Sequence, residues 1–134
     1  MKAIQIDFRA GSPIYIQIVE QIRQRVASGE LKPNDQLPTV RQLASELRVN
    51  FNTVARGYRI LDEAGLISTQ QGRGTYILEE TTPEVSQNIK EQSLQEMART
   101  FIHETNQLGF SLDEVLQVLK NTDIEIKTKE DFTK

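Results

Sequence analysis

Apolar residues recur along this chain with two different periods, and the switch between them outlines the elements. Tyr15, Ile18, Val19, Ile22 and Val26 share one side of a 3.6-residue helix. Ser12-Pro13 stands just before them. Ser suits a cap, and Pro at the first helical position forfeits an N–H that has no partner there anyway. Gly29 after Ser28 supplies a stop. The stretch Glu30–Pro38 holds Pro33, Asn34, Asp35 and Pro38 and reads as turns. Thr39 and Gln42 then have capping-box spacing, and Val40, Leu43, Ala44 and Leu47 follow the i, i+3, i+4, i+7 template. This short helix breaks at Arg48-Val49-Asn50. Asn50 caps a third helix, striped by Val54, Tyr58 and Leu61 and ended by Gly65. Two short helices joined by a tight turn form a helix-turn-helix pattern.

After Gly65 the pattern becomes strand-like. Leu66–Gln70 and Thr75–Leu78 read as strands around Gln71-Gly72-Arg73-Gly74. Three helices followed by a hairpin give a winged helix-turn-helix domain over residues 1–78. Residues 79–83, acidic, Thr-rich and ending in Pro, read as a linker. Leu94, Met97, Phe101, Thr105 and Leu108 then form the seam of a long helix from Pro83 to Leu108, widened by Ala98 and Ile102. Gly109 interrupts it. Ser111 and Glu114 make another capping box, and Leu112, Val115, Leu116 and Leu119 stripe a second amphipathic helix. The fold class is therefore mainly α with a small β-hairpin, the winged domain being followed by a two-helix extension over 84–122. Residues 123–134 read as a polar tail that frays. A lone helix pair cannot bury both seams by itself, so a second copy is expected to cover Leu94, Met97, Phe101, Leu108, Leu112 and Leu116. The competing arrangement folds the helices back onto their own winged domain.

Composition narrows the chemistry. With 134 residues the chain holds a modest domain with an annex, too little for a large catalytic scaffold. It has no Cys and a single His, His103, so thiolate chemistry and Cys- or His-rich metal sites lack their ligands. No phosphate loop or nucleophile elbow is present. An enzyme is not expected, nor a cofactor or a metal. No apolar run exceeds three residues. Gln5, Asp7 and Arg9 occupy the place where a signal peptide would be apolar. A cytoplasmic protein without a membrane partner is expected.

The net charge of −3 argues against a polyanionic partner, but it is an average. Residues 1–78 carry ten Lys and Arg against seven acids, a net of +3, and eight of the ten are Arg. Residues 79–134 carry six bases against twelve acids, a net of −6. Arg is the residue that grips phosphate and guanine bidentately. In a helix-turn-helix the start of the second helix meets the base edges, and here it presents Asn50, Phe51, Asn52 and Thr53. Asn pairs with adenine, the Thr methyl packs on thymine, and Phe51 offers apolar contact only. Arg41 and Arg56 fall near the ends of the helix pair, where a guanidinium can reach phosphate or a base edge, and Thr39 is a further DNA-binding candidate. At the hairpin tip, Gly72, Arg73, Gly74 and Thr75 combine close backbone approach with one cation aimed into a groove. Taken singly, each feature also has a bland reading as cap, solvated charge or ordinary hairpin closure.

Together they resemble a known family. Pro13-Ile14-Tyr15-x-Gln17-Ile18, Gly29-Glu30-Leu31-x-Pro33, Leu37-Pro38-Thr39-Val40-Arg41-x-Leu43-Ala44, Val49-Asn50-x-Asn52-Thr53-Val54 and Gly65-Leu66-Ile67 through Gly72-Arg73-Gly74-Thr75 resemble the DNA-binding domain of GntR-family bacterial transcription regulators. The resemblance spans residues 12–78. It implies a winged helix that binds a palindromic double-stranded DNA operator as a homodimer, with contacts carried over to Arg41, Asn50 to Thr53 and Gly72 to Thr75. The short two-helix extension is similar to that of the YtrA subfamily, where it serves dimerisation. That implies a repressor acting near its own operon, often one with ABC transporter genes, by steric competition with polymerase. Two positions depart from the pattern: many members place Arg or Pro at Phe51 and Ala at Gly57. A different class of reading is a winged-helix adaptor that binds proteins and not specific DNA. No small-molecule effector is identifiable from these residues.

Overall fold

The computed structural model describes residues 1–70 and 73–133, with backbone alone considered at 131–133. Helix α1 (Ile14–Ala27) starts one residue later than its Ser-Pro entry suggests. Pro13 is the cap, with ψ of 148°, and its carbonyl accepts from the Gln17 N–H at 3.1 Å. Ser12 makes no side-chain cap; its carbonyl accepts from Gln17 Nε2 at 3.0 Å. One stripe of α1, Tyr15, Ile18, Val19, Ile22 and Val26, is buried. A second stripe, Gln17, Gln21 and Arg25, binds the extended residues 2–7. The Gln21 amide accepts from the Gln5 N–H at 3.0 Å and donates to the Gln5 carbonyl at 2.5 Å. Gln17 does the same with Asp7, both bonds 2.9 Å long, and Arg25 donates to the Lys2 and Ala3 carbonyls. The two glutamine amides thereby stand in for a neighbouring strand, which lets Ile4 be buried without orphaning the backbone around it.

The turn segment before the helix-turn-helix contains a strand that the sequence does not signal. β1 (Gln36–Leu37) pairs antiparallel with β3 (Gly74–Ile77), Gln36 opposite Tyr76 and Leu37 opposite Thr75. β2 (Ile67–Gln70) lies on the other side of β3, so the wing is a three-stranded sheet of order β1-β3-β2 and not a bare hairpin. Two residues are too few to show a period, and Leu37 reveals itself only by being buried.

The helix-turn-helix is built as its caps suggest. α2 (Val40–Leu47) opens on a complete capping box: the Thr39 hydroxyl accepts from the Gln42 N–H at 3.0 Å, and Gln42 Oε1 accepts from the Thr39 N–H at 2.9 Å. Arg48 turns the chain in the left-handed region, φ 56°. Asn50 then caps α3 (Phe51–Glu63), its Oδ1 accepting from the Asn52 N–H at 2.7 Å. Ile18 and Ile22 pack with Leu43, Val54, Leu61, Leu66, Ile67 and Ile77 in one core. α1 approaches α3 closely at Gly57, where a Cβ would lie 3.2 Å from the Tyr15 carbonyl oxygen.

Helix α4 (Pro83–Gln107) begins inside this same core. Ile89 is buried in it, Val85 packs against it, and Asn88 Nδ2 donates to the Ala64 carbonyl at 3.4 Å. The first compact unit accordingly runs from Met1 to Leu94, past the end of β3 where the sequence places the domain's end. The second unit starts at Gln95 and holds the rest of α4 and α5 (Leu112–Thr133). Gly109 turns between them with φ 88°, and the Ser111–Glu114 capping box forms with both backbone contacts at 3.2 Å. α5 continues through 123–133, the stretch read from sequence as a frayed tail. A Lys127–Asp123 ion pair at 3.0 Å and a Thr128 hydroxyl bond to the Ile124 carbonyl lie along that last part. Among the described residues no helix is long and apolar enough to cross a membrane, and no cluster of His, Cys, Asp and Glu is placed to hold a metal ion.

Candidate nucleic-acid interface

A protein that reads a duplex needs donors and cations on a rigid support, and the first unit supplies the support through side chains the sequence pattern passes over. Tyr58, on the buried side of α3, donates from its hydroxyl to the Pro38 carbonyl at 2.6 Å. That bond fixes the residue before the α2 cap to the helix that follows the turn. Burial, and secondarily the negative charge of Glu46, push the Tyr58 phenol well above its usual range, so it remains a donor. Its place in the stripe marks Tyr58 as core; nothing in the spacing marks its hydroxyl as a tie.

Upon this support Arg41 stands exposed in the first turn of α2, and Thr39 is exposed with its hydroxyl engaged in the cap. At the start of α3, Asn50, Phe51 and Asn52 are exposed and Thr53 is half-buried. The two amides are engaged differently. Asn50 commits its oxygen to the helix cap, whereas Asn52 has no cap to serve and suits the paired donor–acceptor contact that adenine requires. Phe51 keeps half of its surface exposed, placing an aromatic ring at the tip of the helix. Arg56 is one turn further on and half-buried, with its guanidinium carbon 5.1 Å from the centre of the Tyr15 ring. This stacking draws it toward α1 by a cation–π contact.

In the wing, Arg73 is exposed and its N–H donates to the Gln70 carbonyl at 3.0 Å. Gly74 adopts φ 108°, a backbone region favouring glycine. Gly72 lies outside the described residues. Thr75 is only 3% exposed, with its hydroxyl 3.4 Å from that of Thr69. Strand alternation turns it to the covered side of the sheet, so its side chain is not presented to a partner. The structure thus links the wing to the helix-turn-helix through β1, which pairs with β3 and runs directly through Pro38 into the α2 cap.

The apolar residues expected to meet a second copy keep large exposed surfaces in the single chain: Leu94 and Met97, Phe101 and Leu108 on or just after α4, and Leu112 and Leu116 on α5. Val115 is the one residue of its stripe that is buried. Within the second unit, Phe101, Thr105, Phe110, Val115 and Val118 line an apolar cleft of about 240 Å³.

Comparison with known proteins decides the family. The chain is 36% identical over 124 residues to the transcriptional repressor YtrA of Bacillus subtilis, a match covering 92% of this chain and 95% of that one. The family model described as bacterial regulatory proteins of the gntR family matches residues 14–77. The chain belongs to the GntR family. A second relative, the HTH-type transcriptional regulator YhcF of Bacillus subtilis, is 35% identical over 113 residues, which is 84% of this chain and 92% of that one. Among solved structures, YtrA from Sulfolobus acidocaldarius aligns at 35% identity with a TM-score of 0.55, covering 92% of this chain and 99% of that one. A GntR regulator from Listeria monocytogenes aligns at 32% identity and a TM-score of 0.52, covering 85% and 98%. This GntR protein is of the YtrA-like type, since the similarity continues beyond the winged domain into the extension. It is a DNA-binding transcription regulator, and its family consists of regulators and not enzymes.

Proposed function

We propose that the protein is a dimeric repressor that binds a palindromic operator through Thr39, Arg41, Asn50, Phe51, Asn52, Thr53, Arg56 and the wing at Gly72, Arg73 and Gly74. The observation that carries this reading is the Tyr58–Pro38 tie together with the β1–β3 pairing, which fastens α2, α3 and the wing to one frame. The duplex meets a preset surface, and little ordering remains to be done on binding. Thr39 contributes through its cap, which aims the α2 N-terminus and its partial positive charge at phosphate. Asn52 makes the adenine contact and Phe51 packs on a thymine methyl. The exposed seam residues Leu94, Met97, Phe101, Leu108, Leu112 and Leu116 meet their counterparts in the second copy, which sets two recognition helices on the two half-sites. Repression follows from occupying the site that polymerase needs, near the protein's own operon and transporter genes. No effector is required for that mechanism.

The test is a gel-shift titration against duplexes selected from genomic DNA, repeated at several salt concentrations. Arg41→Ala and Arg73→Ala should each weaken binding and lower the slope of log K against log salt by about 0.9, without lowering the melting temperature. Asn52→Ala should lose discrimination at one base position, by roughly 1–3 kcal/mol. Parental affinity and parental slope in both arginine variants would move the DNA face elsewhere.

A further inference from the structure

The wing is fastened on its exposed face by side chains that have no place in the recognition surface above. Tyr76 and Gly74 alternate with the buried Thr75 and Ile77 along β3, so they share the open side of the sheet. The Tyr76 hydroxyl donates to the Arg73 carbonyl at 2.7 Å, closing the strand back onto the residue at the tip. Gln36 is paired opposite Tyr76 and therefore stands on that same face. Its amide reaches diagonally across Gly74: a Cβ there would lie 2.6 Å from Gln36 Nε2. Gly74 is thus doubly constrained, by its φ of 108° and by the amide seated upon it. On the far strand, the Thr69 N–H lies 3.4 Å from Asp62 Oδ2 of α3.

We infer that Tyr76 and Gln36 are positioning residues that aim Arg73: Tyr76 anchors the Arg73 carbonyl and Gln36 seats the Gly74 backbone, so that the cation leaves the wing in one direction. The inference rests on the proposed contact between Arg73 and DNA and deepens it. A hairpin tip held at only its two strands samples many orientations, and a duplex that captures one of them must order the rest. The hydroxyl removes that cost in advance. Because Phe has the same shape as Tyr but lacks the donor, Tyr76→Phe isolates the anchor from the packing of the ring. The hydroxyl is uncharged, so any charge-dependent consequence of its loss must travel through another residue.

The experiment uses the full chain and a fluorescein-labelled duplex of mixed sequence, titrated by anisotropy over a salt series. Tyr76→Phe should weaken binding about three- to tenfold, the range expected for one hydrogen bond of ordinary strength. It should also lower the salt slope toward that of Arg73→Ala, although no charge has been removed. In the Arg73→Ala background the same substitution should change affinity less than about twofold, the coupling expected of residues that act through one another. Gln36→Ala should behave like Tyr76→Phe, with melting temperatures recorded for every variant. Equal weakening by Tyr76→Phe in both backgrounds would make the hydroxyl a general structural element and overturn the inference. Parental binding by Tyr76→Phe beside clear weakening by Arg73→Ala would overturn it while leaving the wing contact standing. Parental binding by Arg73→Ala would remove the contact on which it rests.

Discussion

Tyr58→Phe tests the frame beneath the recognition surface. The substitution keeps the ring, which is 3% exposed, and deletes one hydroxyl that donates to the Pro38 carbonyl at 2.6 Å. A neutral hydrogen bond contributes about 0.5–1.5 kcal/mol net, and a buried carbonyl left without its donor costs about 1–3 kcal/mol. Pro38 is half-buried, so water compensates its carbonyl in part, and a loss of about 1–2 kcal/mol is expected. For a unit of this size that lowers the melting temperature by roughly 4–8 °C per kcal/mol.

The pH dependence carries the sharper signal. In the unfolded chain the phenol titrates near its ordinary value of 10.0, while burial and Glu46 hold the folded phenol well above it. Above pH 10 the unfolded state therefore binds fewer protons than the folded state, and stability falls as pH rises. The stability that Tyr58 contributes is fully present below pH 10 and is lost at about 1.4 kcal/mol per unit above it. By about pH 11 that loss matches the hydroxyl's contribution, and the parent and Tyr58→Phe should be equally stable. Urea denaturation at pH 8, 10 and 11, followed by circular dichroism, measures the difference directly. A constant difference between the two proteins across that range would refute the buried-donor account of Tyr58.

Three further outcomes follow from the packing. Thr39→Ala removes the hydroxyl half of the α2 capping box and should cost about 1 kcal/mol in urea denaturation. Ile89→Ala should destabilise the winged unit by about 2–5 kcal/mol, because this α4 residue is 1% exposed in that unit's core; a mild effect would mean that α4 is only appended. Phe101→Glu places a charge on a seam residue that is 41% exposed in the single chain, so it should leave the winged unit's melting temperature unchanged while sedimentation shifts from dimer to monomer.

What could be read from sequence was whatever a short local pattern encodes. Thr39 with Gln42, Asn50 before its helix, and Ser111 with Glu114 are interactions between neighbours three residues apart or fewer, and the structure forms each of them. The hidden features depend on long-range partners. Gln17, Gln21 and Arg25 look like a solvated stripe until residues 2–7 lie along them. Gln36–Leu37 becomes a strand only because β3 comes alongside. Thr75 sat in a motif that pointed to DNA, but its place in strand alternation buries it. The Tyr58 hydroxyl serves the carbonyl of Pro38, twenty residues earlier in the chain, and a backbone carbonyl carries no sequence signature, which hides even the short-range bond of Tyr76 to Arg73. Caps are therefore legible, and ties between elements are not.

The uneven charge gains a physical meaning from the proposed division of labour. Residues 1–78 carry +3 with exposed Arg41 and Arg73, whereas residues 79–134 carry −6, in a stretch whose helices leave Leu94, Met97, Phe101, Leu112 and Leu116 exposed. Bringing two copies together through those helices covers apolar surface but also approximates two acidic segments, and salt screens that repulsion over about 10 Å at 0.1 M. Salt has the opposite effect at the operator, where each phosphate contact weakens as counterions accumulate. A dimer that must assemble before it binds two half-sites then feels both terms. Added salt strengthens the assembly step while it weakens the docking step. In the proposed dimer the acidity of the extension is a brake on self-association in dilute salt and on loose attachment to any duplex that offers phosphate without the right base edges.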